Sequence, residues 1–323
     1  MDEFELIERY FAELGARRDD VRLGVGDDGA LIAPAPPGQG LVMVTDTIIA
    51  GVHFPDSLDA AAIGHRVLAV NLSDLAAMGA QPAYALLALS MPQADLGWLR
   101  EFARGLGGLA AEHGVALVGG DTTRSDTLTL TVTAVGWVPP MQCLARSGAR
   151  EGDLLVVSGN PGDAAAGLAI LQSATSSIGL GAHLRERFAW PTPRVGAGLA
   201  LRGIASAAID ISDGLLADSA KLAQASGVHL EIDVEALPLS HALLASHGQD
   251  RAEHFALFGG DDYELLFTIH EDASLDGLCA RSDCALTVIG RVHSASEARE
   301  AGCTVARDGV AIPLDNAGYR HFS

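Results

Sequence analysis

Lysine is almost missing from this chain. Of 21 basic residues in 323, only Lys221 is a lysine, and 41 acidic residues leave a formal charge of −20. A Walker A loop needs Gly-Lys-Ser/Thr, and that tripeptide does not occur. A protein-kinase site needs its lysine in a Val-Ala-Ile-Lys setting, which Lys221 lacks. A surface this acidic repels the nucleic-acid backbone and anionic lipid, so neither is expected as a partner. It holds phosphate esters only where cations intervene.

Cysteine is sparse as well. Cys143, Cys279, Cys284 and Cys303 form no Cys-x-x-Cys pair, which removes the thioredoxin-like and zinc-ribbon patterns. Scattered thiols behind an acidic Met-Asp-Glu-Phe-Glu start are expected to be reduced, in a cytoplasm. His-Glu-x-x-His, Gly-x-Ser-x-Gly and an EF-hand loop are absent. Gly24-x-Gly26 lacks the strand–helix setting of a dinucleotide fingerprint. The uncharged run 75–94 is long enough to cross a bilayer, but Gly79, Pro82 and Pro92 interrupt it. It is expected as a helix end, a turn and a strand.

What is present is a folding composition, with 49% apolar and 19% charged residues and enough length for two domains. Apolar spacing predicts helices over 2–14, 59–78 and 95–113, the last between a capping Asp95 and Gly114. Strands are expected over 41–47, 83–91, 115–120 and 127–138; the last alternates threonines with apolar residues. Pro139-Pro140 punctuates the chain, and 139–152 reads as a linker. The pattern then resumes. Strands are expected over 153–158, 207–212, 228–233, 263–270, 286–292 and 304–307, and helices over 162–172, 194–202 and 215–226. Mixed helices and strands without strict alternation predict two α+β domains, 1–138 and 153–323.

Carboxylates recur where apolar runs end: Gly26-Asp-Asp-Gly29, Thr45-Asp46-Thr47, Gly119-Gly-Asp-Thr-Thr123, Asp210-Ile-Ser-Asp-Gly214 and Gly259-Gly-Asp-Asp262. Asp74 adds one inside a helix, on the side of Ile63, Val67 and Val70. An Asp beside a Gly is most often a turn. Five such motifs in one chain point further. Converging carboxylates stay ionised only if cations hold them, and hard oxygen donors without a His or Cys cluster select Mg²⁺ or Ca²⁺. Mg²⁺ characteristically takes one or two carboxylates plus substrate phosphates, so the pattern points to phosphate chemistry. Gly119-Gly120 would let backbone N–H groups approach a phosphate, and Gly214 opens a helix whose N-terminus attracts anions. Arg146, in the linker, is a candidate inter-domain phosphate contact. His53 by itself reads as a polar loop residue.

The motifs Gly24-Val-Gly-Asp-Asp28, Val44-Thr-Asp-Thr47, Ala50-Gly-Val-His-Phe54, Ala69-Val-Asn-Leu-Ser-Asp-Leu-Ala-Ala-Met-Gly-Ala80, Gly119-Gly-Asp-Thr-Thr123, Pro161-Gly-Asp163, Ile209-Asp-Ile-Ser-Asp-Gly214, Gly259-Gly-Asp-Asp-Tyr-Glu264 and Gly318-Tyr-Arg-His-Phe322 resemble, in order and spacing, the thiamine-monophosphate kinase family. The resemblance spans essentially the whole chain. It implies the aminoimidazole-ribonucleotide-synthetase fold, two α+β domains per chain, and a homodimer joined through N-terminal-domain strands. It implies Mg²⁺-dependent transfer of the ATP γ-phosphoryl group to thiamine monophosphate. By resemblance, Asp28, Thr45, Asp46, Asp74, Asp121, Asp210 and Asp213 match positions that hold several metal ions. Gly120, Asp121, Arg146 and Ser212 match ATP positions, and His53, Asp261 and Tyr319 match positions facing thiamine phosphate. Asp46, Asp121 and Arg146 are the expected catalytic set. Asp261 stands where the family commonly has Glu, and Val44 where a hydroxyl residue is frequent. The alternatives left by the sequence are another ATP-dependent enzyme of the same superfamily and a non-catalytic divalent-cation-binding protein. Selenophosphate synthetase is disfavoured because it uses an N-terminal Cys or selenocysteine with a lysine, and the first cysteine here is Cys143. The chain also ends in His321-Phe322-Ser323, where a hydrogenase-maturation protein would carry a cysteine.

Overall fold

A computed structural model of the chain describes residues 3–173, 179–282, 284–296 and 300–313. These residues belong to two compact units, Met1–Leu75 with Ala80–Pro140, and Ala76–Gly79 with Met141–Ser323.

The first unit runs α1 (Glu3–Tyr10), β1 (Val21–Leu23), β2 (Leu31–Ile32), β3 (Gly40–Ile49), α2 (Ala60–Ala77), β4 (Gln81–Met91), α3 (Leu96–Glu112), β5 (Ala116–Arg124) and β6 (Thr129–Val138). β3, β6, β4 and β5 form one sheet in that order, antiparallel except for the parallel pair β4–β5. Helix α2 is apolar on nearly every side, and almost every residue in it is buried. That is why it shows little amphipathic period. α2 and α3 touch backbone to backbone: a Cβ on Gly105 would lie 1.8 Å from the Ala61 carbonyl oxygen. Helix α3 begins where expected, because Asp95 accepts from the N–H groups of Gly97 and Trp98 at 2.7 and 2.9 Å. The run 75–94 is the end of α2, a turn and β4, and no helix among the described residues is long and apolar enough to cross a membrane.

The second unit runs β7 (Leu154–Ser158), α4 (Asp163–Gln172), α5 (Leu180–Ala189), α6 (Val195–Ala200), β8 (Ala205–Asp210), α7 (Leu215–Ser226), β9 (Val228–Asp233), α8 (His241–His247), α9 (Gln249–Phe258), β10 (Leu265–Ile269), α10 (Leu275–Ser282), β11 (Leu286–Ser294), β12 (Gly302–Arg307) and β13 (Val310–Ala311). Its sheet has the order β13-β12-β9-β11-β7-β10-β8, with only β12–β9 parallel. β10, buried at every residue, lies between β7 and β8. Leu215, Leu222 and Ala223 of α7 pack with Ile209, Leu230 and Ile232 of the sheet to make the main core. A second cluster joins α4, α5, α8 and α9 through Ala166, Leu184, Leu243 and Ala252.

Several expectations change in detail. The first helix stops at Tyr10 rather than residue 14. Helices α5, α8, α9 and α10 have no counterpart in the periodicity reading. They are short, and three of them carry polar or charged residues through their apolar stripe, so tertiary packing stabilises them rather than pattern.

Candidate active site

In the first unit, a cavity of about 290 Å³ lies against the β5 edge. Gly26, Asp27, Asp28, Gly119, Gly120 and Asp121 line it, with Ile7, Phe11, Leu87 and Leu117 as its apolar part. The loop at 26–28 and the β5 residues 119–121, 93 positions apart in sequence and both singled out by their Gly-Asp pattern, thus meet at one concavity. No basic side chain lines it, so the carboxylates there have no built-in neutralising partner among its lining residues. Gly120 has φ +152°, and a Cβ there would sit 1.8 Å from the Leu87 carbonyl oxygen. Only glycine lets β5 lie this close to β4 while opening the wall of the cavity.

Asp46 on β3 and Asp74 on α2 lie in the same unit. The Asp46 N–H donates to the side-chain oxygen of Asn71 at 3.1 Å, and the Asn71 amide donates to the Val67 carbonyl. Asp74 lies one turn further along α2 and is half-buried. Asn71, fully buried, is the residue that ties β3 to this helix face, and its place inside an apolar helical run was the available signal. Thr45 goes the other way. Consecutive strand residues alternate between faces, and the Thr45 hydroxyl is bound to Thr133 at 2.5 Å on the open side of the sheet. His53 sits in the turn after β3, and its Nδ1 accepts the Ile49 N–H at 3.1 Å.

In the second unit, the Asp210–Gly214 and Gly259–Glu264 segments run together. Asp261 N–H donates to the Ser212 carbonyl, Tyr263 N–H to the Ile211 carbonyl, and Ile211 N–H to the Glu264 carbonyl. Asp261 and Tyr263 both hold positive φ, +70° and +52°. This zigzag sends the two adjacent carboxylates different ways. Asp262 is buried and accepts the N–H groups of Gly162 and Ala164, capping α4. Its burial pushes the carboxyl well above the usual range, against those two hydrogen bonds. Asp261 is only half-buried and accepts the Tyr263 hydroxyl at 3.1 Å. Asp210 is buried at the end of β8, while Asp213 is half-buried.

Asp218, on the first turns of α7, was not singled out by the sequence. One of its oxygens accepts the N–H groups of Ser212 and Asp213 at 3.0 and 2.9 Å. Because the Ser212 N–H and carbonyl are both engaged, a nucleotide contact there falls to its hydroxyl. Lys221 donates to Asp213 and to the other Asp218 oxygen at 2.5 and 2.7 Å. Burial pushes the Asp218 carboxyl up, with Lys221 opposing; Lys221 is itself held above the usual lysine value by its two carboxylates, against its partial burial.

Glu264 is a structural centre beneath this loop. Fully buried, it accepts from Arg187, Arg194 and Ser158. Burial opposes its ionisation, yet Arg194 and Arg187 hold its carboxyl below the usual range. Asp163 of the Pro-Gly-Asp motif is buried too, accepting the Ser240 hydroxyl at 2.6 Å beside His183. Arg146 is exposed; its carbonyl accepts the Ser226 hydroxyl at 2.9 Å. Tyr319 lies outside the described residues.

Among the described residues, no three His, Cys, Asp or Glu side chains form a group close enough to cage a metal ion. The donor set still fits Mg²⁺, because that ion uses one or two carboxylates and takes its remaining ligands from water and phosphate.

The N-terminal domain model of AIR synthase related proteins matches residues 26–138, and the C-terminal domain model matches 150–301. The thiamine-monophosphate kinase of Salmonella typhimurium is 45% identical over 325 residues, covering 99% of this chain and 98% of that protein. The crystal structure of thiamine-monophosphate kinase from Stenotrophomonas maltophilia superposes with a TM-score of 0.84 at 47% identity, covering 92% of this chain and 93% of that one. A structure of AaThiL complexed with AMPPCP and TMP superposes with a TM-score of 0.78 at 34% identity, covering 92% of each chain. With both domain models matched in order and identity carried along nearly its whole length, the chain belongs to the thiamine-monophosphate kinase family within the AIR synthase related proteins.

Proposed function

We propose that the protein transfers the γ-phosphoryl group of ATP to thiamine monophosphate, giving ADP and thiamine diphosphate. The observation that carries the reading is the 45% identity to a thiamine-monophosphate kinase over essentially the full chain. The carboxylate–glycine cavity of the first unit supports it, and so does the AaThiL complex with AMPPCP and TMP.

In this reading Gly120, Asp121, Arg146 and Ser212 bind ATP. Asp28, Asp46, Asp74, Asp121, Asp210 and Asp213 would supply carboxylate oxygens to Mg²⁺, and Thr45 a further oxygen. Mg²⁺ held by these residues would neutralise charge on the phosphates. Gly120 keeps the cavity wall open, and the exposed Arg146 guanidinium is free to meet a phosphate as a bidentate donor. Asp46, Asp121 and Arg146 form the catalytic set, acting by positioning and charge stabilisation.

The acceptor is a phosphate monoester with a second pKa of about 6, so it is largely dianionic at neutral pH. It needs no strong base, in keeping with a cavity lined by Asp and Gly and by no His, Cys or Lys. The thiazolium ring is a cation. His53 and Asp261 are assigned to the thiamine phosphate, and Tyr319 offers an aromatic face. The domain roles follow: 1–138 for metal, nucleotide and dimerisation, 139–152 as linker, and 153–323 for the remaining contacts.

Leu41, Met43 and Leu86 are exposed on the open face of the first unit's sheet, beside Thr45, Thr47, Thr131 and Thr133. An apolar and threonine-lined sheet face of this kind supports a homodimer through these strands. All four cysteines are free thiols, which supports a reducing, cytoplasmic location.

The test is incubation of purified protein with ATP, Mg²⁺ and thiamine monophosphate, followed by separation of the thiamine esters. Thiamine diphosphate is the expected product, with free thiamine not accepted. Phosphorylation of free thiamine at a comparable rate would contradict the base-free chemistry.

A further inference from the structure

We propose that Lys221 is an internal counter-cation of the second unit's metal-binding loop. Its ammonium holds Asp213 while no divalent ion is bound, and a divalent ion at Asp213 displaces it. The inference rests on Asp213 being a metal ligand, as proposed above.

The geometry is specific. Lys221 lies nearly two turns inside α7, and helical side chains lean toward the N-terminus of their helix. Its Nζ reaches back to Asp213, 2.5 Å away, and to Asp218, 2.7 Å away. The two carboxylates differ in kind. Asp218 is 1% exposed and already anchors the loop through the N–H groups of Ser212 and Asp213. Asp213 is 32% exposed, and its side chain receives the lysine from an open side. Lys221 is therefore fixed at one end and exchangeable at the other.

A divalent ion on Asp213 would share one carboxylate with an ammonium, and like charges that close repel. The lysine yields at little cost, because it keeps Asp218 and has a flexible four-carbon stem. An arginine would not serve as well, since its rigid fork is built to grip a carboxylate with two donors. In a chain with 21 basic residues and only this lysine, the compact point charge stands where a releasable contact is needed.

Mn²⁺ titration of the full chain by calorimetry, without nucleotide, tests the proposal. Removing the competing charge in Lys221→Met should tighten one Mn²⁺ site by about tenfold. Lys221→Arg keeps the charge and grips the carboxylate with two donors, so it should bind Mn²⁺ no more tightly than the parent protein. The single lysine also permits a site-resolved measurement in the unaltered chain. Acylation of Lys221 by an amine-reactive reagent, followed by peptide mass spectrometry, should speed up at least about threefold on saturation with Mn²⁺ as the Asp213 contact is released. Unchanged or weaker Mn²⁺ binding by Lys221→Met, or unchanged or slower acylation in a chain that binds Mn²⁺, overturns the proposal. Asp213→Asn separates this from failure of the underlying assignment: Mn²⁺ binding unaltered by that substitution would mean that Asp213 is not a ligand.

Discussion

Gly120→Ala is the sharpest perturbation of the cavity that involves no charge. The backbone at 120 holds φ +152°, where an L-residue is strained by about 1–3 kcal/mol. The new Cβ would lie 1.8 Å from the Leu87 carbonyl oxygen, 2.6 Å from its carbon and 2.9 Å from its nitrogen. All three are backbone atoms of β4, so no side-chain rotation relieves the clash. Overpacking of this kind costs about 1–3 kcal/mol beyond the strain. The two effects together amount to about 2–6 kcal/mol, a fall in the first unit's melting temperature on the order of 10 °C. Gly120 also lines the cavity with Asp28 and Asp121, so β5 can relieve the clash only by moving that wall. The KM for ATP should rise while that for thiamine monophosphate changes less. Calorimetry and steady-state kinetics check both effects. Gly108→Ala is the control of opposite sign. It lies inside α3 with nothing within 4 Å of a new Cβ, and should stabilise by about 1 kcal/mol. A Gly120→Ala protein with parental melting temperature and parental KM for ATP would refute the reasoning.

Asp121→Asn should lose most of the kinase activity while the protein stays folded, because Asp121 is exposed in the cavity wall and not part of the core; circular dichroism beside the ester assay decides it. Glu264→Gln should destabilise the second unit by about 3 kcal/mol, since it leaves the mostly covered Arg187 and Arg194 without their carboxylate. The Glu264 carboxyl is held below its unfolded value of about 4.3, so its contribution is complete above that pH and fades as pH falls through the lower folded value. The difference in melting temperature between the parent and Glu264→Gln should hold steady from about pH 6 to 8 and shrink below about pH 4. Tyr319→Ala should raise the KM for thiamine monophosphate by roughly 2- to 30-fold, the equivalent of about 0.5–2 kcal/mol of cation–π contact, with little effect on the KM for ATP. Equal changes in both constants would return Tyr319 to a terminal-segment residue.

Local chemistry carried the sequence a long way. Asp95 and Gly114 mark the ends of α3, and Gly227 ends α7 in a left-handed cap. The alternating threonines of β6 identify a strand with two unlike faces. The glycine–carboxylate motifs stand out by residue type and spacing alone, although those at 45–47 and 119–123 lie inside β3 and β5 rather than at strand ends. Each of these features depends on residues within a few positions of one another, so the chain itself states them.

What the tertiary structure decided is how each carboxylate is used. Nothing in Gly-Gly-Asp-Asp distinguishes Asp261 from Asp262. Hydrogen bonds to Ser212 and Ile211, about 50 residues away, fix the backbone so that one carboxylate caps a buried helix and the other remains half-buried. Nor does the sequence say that Thr45 turns away from Asp46 toward Thr133, or that Asn71 bonds the Asp46 backbone. A solitary lysine reads as one more surface charge until α7 brings it against Asp213 and Asp218. Periodicity reports that a residue faces a core or solvent. Which distant group it meets there depends on strand order and on the side chains of other elements, and those exist only once the chain has folded.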